Sequence, residues 1–152
     1  MPEQQAPEKI RPKDLGDYLE VMSKSVFQSG MSWKVVEVKW PGTQKAFRNF
    51  NAKKVASMTT RDIDKLVKDM RVIRNRRKLE AVVGNARQII ELDADHGSFK
   101  KYLRSKSGFE DRIKMLRKDF KFLGITGAYH FLYVVGEKVP SHSECQKRLE
   151  KL

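Results

Sequence analysis

The chain has one cysteine, Cys145, so no intramolecular disulfide can staple it. It has no apolar run near the roughly 20 residues that a membrane-crossing helix needs. The first 13 residues lack an apolar core of the secretory type and hold three prolines, so they predict a flexible N-terminal arm (residues 1–13) and a soluble, intracellular protein. Stretches of alternating apolar and polar residues are also missing, which leaves any single strand without a partner and points to an all-α fold. Acidic residues are in short supply. The 19 Asp and Glu stand against 32 Lys and Arg, a formal net charge of +13, which favours polyanionic partners, nucleic acid first. A solvated basic face is the other reading of that charge. With 152 residues and no repeat, the length suits one domain over residues 14–152.

What is present is helical periodicity. Leu15, Leu19, Met22 and Val26 recur at helical spacing after Asp14, a candidate N-cap, with Gly30 as a stop. Ser32 opens a second helix predicted to end at Pro41-Gly42, followed by a short helix over 43–50 and another turn or two over 51–58. Thr59-Thr60-Arg61-Asp62 has the form of a capping box, ahead of Ile63, Leu66, Val67 and Met70 on one face. A long helix is predicted over 76–92, with Leu79, Val82, Val83, Ala86 and Ile90 on its core stripe and a break at 93–97. Short helical stretches follow over 99–103 and 109–120, and Pro140-Ser141 caps a last one.

Between two of these segments lies Phe120-Lys121-Phe122-Leu123-Gly124-Ile125-Thr126-Gly127-Ala128-Tyr129-His130-Phe131, which reads as helix, tight turn, helix. Gly124 and Gly127 can take positive φ and admit a ligand close to the backbone, and the N–H groups that open the second helix have no intrahelical acceptor. Such donors suit phosphate. Taken alone, these residues fit an ordinary C-cap glycine and connection better.

Four patterns in order, Gln28-Ser29-Gly30-Met31-Ser32-Trp33, Val72-Ile73-Arg74-Asn75-Arg76-Arg77-Lys78-Leu79, Gly84-Asn85-Ala86-Arg87 and the hairpin from Phe120, together resemble the DNA-3-methyladenine glycosylase I family of the helix-hairpin-helix superfamily. The resemblance implies a single all-α domain that binds double-stranded, damaged DNA, flips an alkylated purine out of the stack and hydrolyses its N-glycosidic bond. By similarity Met31 is the wedge, and Trp33, Gln28 and Ser25 belong to the base pocket. Gly124, Thr126 and Gly127 form the DNA-binding hairpin.

The departures are as specific. Ser25 stands where the family has the carboxylate that recognises the cationic methylated base, and a serine cannot carry that charge. The family's N-terminal aromatic and zinc-binding residues have no counterpart in residues 1–17. His142 and Cys145 look like two remnants of a zinc site, and two ligands do not close a structural tetrahedral site, so no metal and no cofactor are expected. Ala128 occupies the position of the lysine found in related lyases, and His142 falls near the superfamily's catalytic aspartate, so no lyase chemistry is expected. Asp17, Glu20 and Glu37 are nearby carboxylates expected in solvent. The sequence therefore supports a monofunctional glycosylase acting as a monomer, a non-catalytic DNA-binding member of the same fold or, with less reason to keep Trp33 beside the hairpin, an RNA-binding or scaffold protein.

Overall fold

The computed structural model describes residues 8–150, and the rest of the expected arm, residues 1–7, lies outside them. Nine α-helices and no strand occur among the described residues: α1 (Leu15–Gln28), α2 (Trp33–Ala46), α3 (Ala52–Ala56), α4 (Thr60–Leu66), α5 (Arg76–His96), α6 (Phe99–Leu103), α7 (Phe109–Asp119), α8 (Ile125–Val134) and α9 (His142–Leu149). Residues 8–13 carry no helix but are not loose. Ile10 donates its N–H to the Val134 carbonyl at 2.7 Å, and Lys9 lies over the Tyr133 ring.

The helix α5 runs through the middle and packs against α1, α3, α4 and α6, while α8 packs on α1 and α7. Its core stripe is Leu79, Val82, Val83, Ala86 and Ile89, all buried, with Ile90 only partly so. Local caps set most boundaries. Asp14, Ser32, Asn51, Asn75, Ser98 and Ser141 each accept a backbone N–H at a helix start, and Thr59 with Asp62 forms the full capping box.

Three boundaries differ from those predicted. The helix α2 continues through Pro41-Gly42 to Ala46. Proline removes one backbone donor and crowds the carbonyl four residues before it, and neighbouring packing offsets both costs: Trp40 is buried against Phe27 and Phe50, and the Thr43 hydroxyl donates to the Lys39 carbonyl. Gly42 marks a close approach instead of a stop, since a Cβ there would lie 2.9 Å from that of Arg71. The expected helix over 43–50 is thereby replaced by the end of α2 and a single turn, Arg48–Phe50, whose three residues all have positive φ. Phe50, stacked on Trp40 and Phe47, offsets that strain. The helix α4 ends at Leu66, leaving Met70 77% exposed and its carbonyl bound by the Lys39 ammonium. Last, α5 continues past residue 92 to His96, where Gly97 at φ 85° closes it.

Candidate functional site

Two turns meet above α5. One links α1 to α2 and carries Gln28 to Trp33; the other links α7 to α8 and carries Lys121 to Gly124. Each is held from below by a polar side chain of α5. The buried Lys78 ammonium donates to the carbonyls of Phe27 (3.3 Å) and Ser29 (2.5 Å), at the end of α1. Burial pulls its pKa down. Asn85, also buried, clasps Lys121 from both sides: its amide donates to the Lys121 carbonyl (3.1 Å) and its oxygen accepts from the Lys121 N–H (2.8 Å). Arg87 similarly donates to the carbonyls of Ala56, the last residue of α3, and of Met58 just beyond it.

The clasp fixes an unusual backbone. Phe122, not a glycine, takes the positive φ of the hairpin (57°), and the residue is 45% exposed at the tip. Gly124 has φ −81° and ψ −173°, an extended conformation that any residue adopts, so the expected left-handed role falls two residues earlier. Gly124 is open in another sense, because a Cβ there would meet no atom within 4 Å. It is the N-cap of α8 without a side-chain cap, and the first intrahelical bond is from Ala128 N–H to the Gly124 carbonyl at 2.8 Å. The N–H groups of Ile125, Thr126 and Gly127 precede that bond and point out of the helix start.

Between the two turns lies a cleft of about 410 Å³, lined by Ser25, Gln28 and Trp33 on one side and Gly124, Thr126 and Gly127 on the other. All the predicted site residues except Met31 thus border one space. Met31 is half-buried and packs on the core beside that cleft's Gly30. Ser25 is 7% exposed and close to α8, with its Cβ 3.6 Å from where a Gly127 Cβ would stand. Two lining residues were not singled out from the sequence, Arg117 and His130. The signal for His130 was available, since it lies four residues after Thr126, on the same face of α8. Its ring meets Trp33 edge-on at 5.1 Å between centroids. Burial, and secondarily His142, lowers its pKa, so the imidazole is neutral near pH 7.

Among the described residues, no carboxylate lines the cleft. Of the three nearby acids expected in solvent, Glu37 is exposed and paired with Lys24, and Asp17 is half-buried near the start of α1, where it accepts from the Lys13 N–H. Glu20 departs from the expectation more strongly: it is half-buried, accepting from Trp40 Nε1 (2.9 Å) and Gln44 Nε2 (2.6 Å). A second cavity, of about 980 Å³, adjoins the cleft, and Trp33, Thr126 and His130 line both.

The sequence from residue 11 to residue 116 matches the family model described as Methyladenine glycosylase. The chain belongs to that family. Its relatives include DNA-3-methyladenine glycosylase from Haemophilus influenzae, at 32% identity, and DNA-3-methyladenine glycosylase 1 from Escherichia coli, at 29%; each match covers 72% of this chain and 70% of the relative. Among solved structures, 3-methyladenine DNA glycosylase I from Staphylococcus aureus superposes with a TM-score of 0.73 at 27% identity, over 85% of this chain and 80% of that one. A variant of 3-methyladenine DNA glycosylase I solved in complex with 3-methyladenine gives the same TM-score and identity over 85% and 81%. The helical fold expected from the resemblance is therefore that of the methyladenine glycosylases.

The zinc site that the resemblance brings to mind does not fit the residues present. Cys145 is 2% exposed, and burial pushes its thiol up, away from the thiolate that binds metal. His142 is exposed and tilted against Tyr129, and no group of three or more His, Cys, Asp or Glu side chains converges among the described residues.

Proposed function

We propose that this protein is a monofunctional DNA glycosylase of base excision repair. It binds duplex DNA as a monomer, flips out an alkylated purine such as 3-methyladenine, and hydrolyses its N-glycosidic bond. The observation that carries the reading is the cleft itself: an aromatic ring, Trp33, faces the open N-terminus of α8 across a space of about 410 Å³, so a flipped base and its phosphate have complementary walls. The free N–H groups of Ile125, Thr126 and Gly127 suit a phosphate oxygen, and the absence of a Cβ at Gly124 lets the backbone approach it. Trp33 supplies the stacking face, and Met31, next to Gly30, is the side chain available to fill the vacated stack.

Chemistry without a pocket carboxylate is possible because alkylation at a ring nitrogen makes the purine a cationic leaving group. The chain's task is then to bind and distort the substrate and to hold the attacking water in order. Ala128 is buried where the related lyases have lysine, and no Schiff base forms there. Ser25 also favours a second reading, a DNA-binding member of the fold that has given up catalysis. Free-base release from alkylated duplex DNA separates the two. The glycosylase reading expects 3-methyladenine in the supernatant with wild type and at least about tenfold less with Trp33→Ala, from stacking alone. Duplex binding without any release supports the non-catalytic reading.

A further inference from the structure

The second cavity, resting on the glycosylase reading above, points to a substrate class. We propose that the preferred lesion is a purine made cationic by alkylation at a ring nitrogen and carrying a substituent much larger than methyl, with the purine in the cleft and the substituent in the adjoining cavity. Three features carry this. The first is room: the cleft suffices for a purine, while the neighbouring space of about 980 Å³ is at the upper end of what small-molecule pockets offer. Trp33, Thr126 and His130 border both spaces, so a group projecting from a base stacked at Trp33 is directed toward the larger one.

The second feature is the wall. Beyond the shared residues the cavity presents Tyr129, Tyr133, Val139 and Pro140, which suit an aryl or alkyl group. Its carboxylate, Glu137, is buried and already engaged by Arg104 Nε at 3.1 Å and Arg112 Nη1 at 3.7 Å. Lys9 and Lys138 also border the cavity, which disfavours a second positive charge on the substituent but leaves a neutral one unopposed.

The third feature is how the purine's charge is met. Ser25 offers none, so recognition passes to the π face of Trp33, which attracts a cation without needing a carboxylate. His130, kept neutral by its surroundings, neither repels that cation nor competes for it. Hydrolysis then balances without a protein acid: water's oxygen bonds to C1′, the C1′–N electron pair returns to the purine and cancels its charge, and the water proton leaves to solvent. The products are the neutral base, an abasic sugar and one proton.

The test compares release of 3-methyladenine and 3-benzyladenine from otherwise identical duplexes. Wild type is expected to act on the benzyl lesion at least as efficiently as on the methyl one. Gln146→Trp, which enters the second cavity from exposed α9 and leaves the cleft alone, is expected to lower kcat/KM for benzyl release by about tenfold or more and to leave methyl release within about twofold. Lys138→Trp fills the same space from another segment and serves if the first variant melts early. Methyl release without benzyl release overturns the inference and leaves the glycosylase reading standing. Benzyl release indifferent to both fillings also overturns it, since the substituent is then elsewhere. Release of neither base by folded protein removes the glycosylase reading, and the inference with it.

Discussion

The polar residues of α5 and those of the cleft are arranged in opposite ways. On α5, Lys78 and Asn85 are buried and Arg87 lies along the surface, and each is committed to backbone groups of another segment. At the cleft, Ser25, Gln28, Thr126 and His130 border open space. Lys78 and Asn85 are therefore fasteners that hold two turns at a set separation, and the proposed chemistry falls to what those turns present. A fastener cannot change without releasing a turn. A cleft residue can, because Ser25, Gln28, Thr126 and His130 border open space and hold no other segment in place.

The sharpest test of the comparison is Lys78→Met, which keeps the apolar stem and removes the ammonium. The carbonyls of Phe27 and Ser29 lose a charged donor at the buried end of α1, and such bonds are worth about 1.5–3 kcal/mol each before context discounts their sum. A loss near 3 kcal/mol is expected in chemical denaturation, with melting lowered by roughly 6–12 °C for a chain of this size. Thr126→Ala, on the cleft side, should stay within about 0.5 kcal/mol. If the two variants cost the same, the division between fastener and cleft is wrong.

Asn85→Ala comes next. It removes two backbone bonds to Lys121, for about 2 kcal/mol, and frees Phe122 from its positive φ. The hairpin should then relax, and duplex affinity should fall even where the protein remains folded. Direct damage to the hairpin makes the complementary experiment. Gly124→Val meets neither φ strain nor a neighbouring atom, so the melting point should hold, while affinity drops about tenfold for all sequences alike through loss of a phosphate contact. In wild type, about five neutralised phosphates would give a slope of log K against log salt near −4 to −5. A slope near zero means that the +13 charge is only a solvated face.

The same division explains what could be read before the structure. Caps and core stripes are local, and Asp14, Ser32, the Thr59-Asp62 box and the Leu79 to Ala86 stripe were all legible at their own positions. What was not legible came from distant contacts. Pro41 is carried inside α2 because its neighbour Trp40 is buried against Phe27 and Phe50, and Glu20 is drawn from solvent by Trp40 and Gln44. At the site, glycine chemistry drew attention to Gly124 for its φ, whereas Asn85, 36 residues upstream of Lys121, imposes the positive φ on Phe122. His130 stood at helical spacing from Thr126, but nothing local showed that Trp33 and His142 are brought against it.

Ser25→Glu sharpens the cleft side. A carboxylate at this position would face the cleft beside Trp33 and attract a cationic base far more strongly than it would in water, provided it stays ionised on burial. Release of 3-methyladenine should rise by about tenfold relative to wild type, while Trp33→Ala lowers it in both backgrounds. If the folded Ser25→Glu protein gains nothing, the position has ceased to be part of a base pocket.

The smallest expected effect concerns His130. Its pKa is held below the ordinary 6.5 by burial first and by His142 second. In the unfolded chain both influences vanish, so the unfolded state takes up a proton at a higher pH than the folded one. The sign follows: His130 contributes its full stability above the ordinary histidine range, and that contribution is lost as pH falls through its folded pKa. The neighbours that set the effect are His142, Tyr129 and Trp33, with Lys9 and Lys138 also bordering the cavity and opposing an added positive charge there. Denaturation midpoints measured from pH 7.5 to pH 5 should decline with a slope of one proton or less attributable to this residue, and His130→Gln should remove that part while the carboxylate-dependent decline at lower pH remains. Parallel curves for wild type and His130→Gln would mean that the imidazole is solvated and already charged alike in both states. The cleft would then carry a second positive charge beside Arg117 in mild acid, and binding of a cationic base, measured by quenching of Trp33 fluorescence, should weaken over the same pH interval in wild type only.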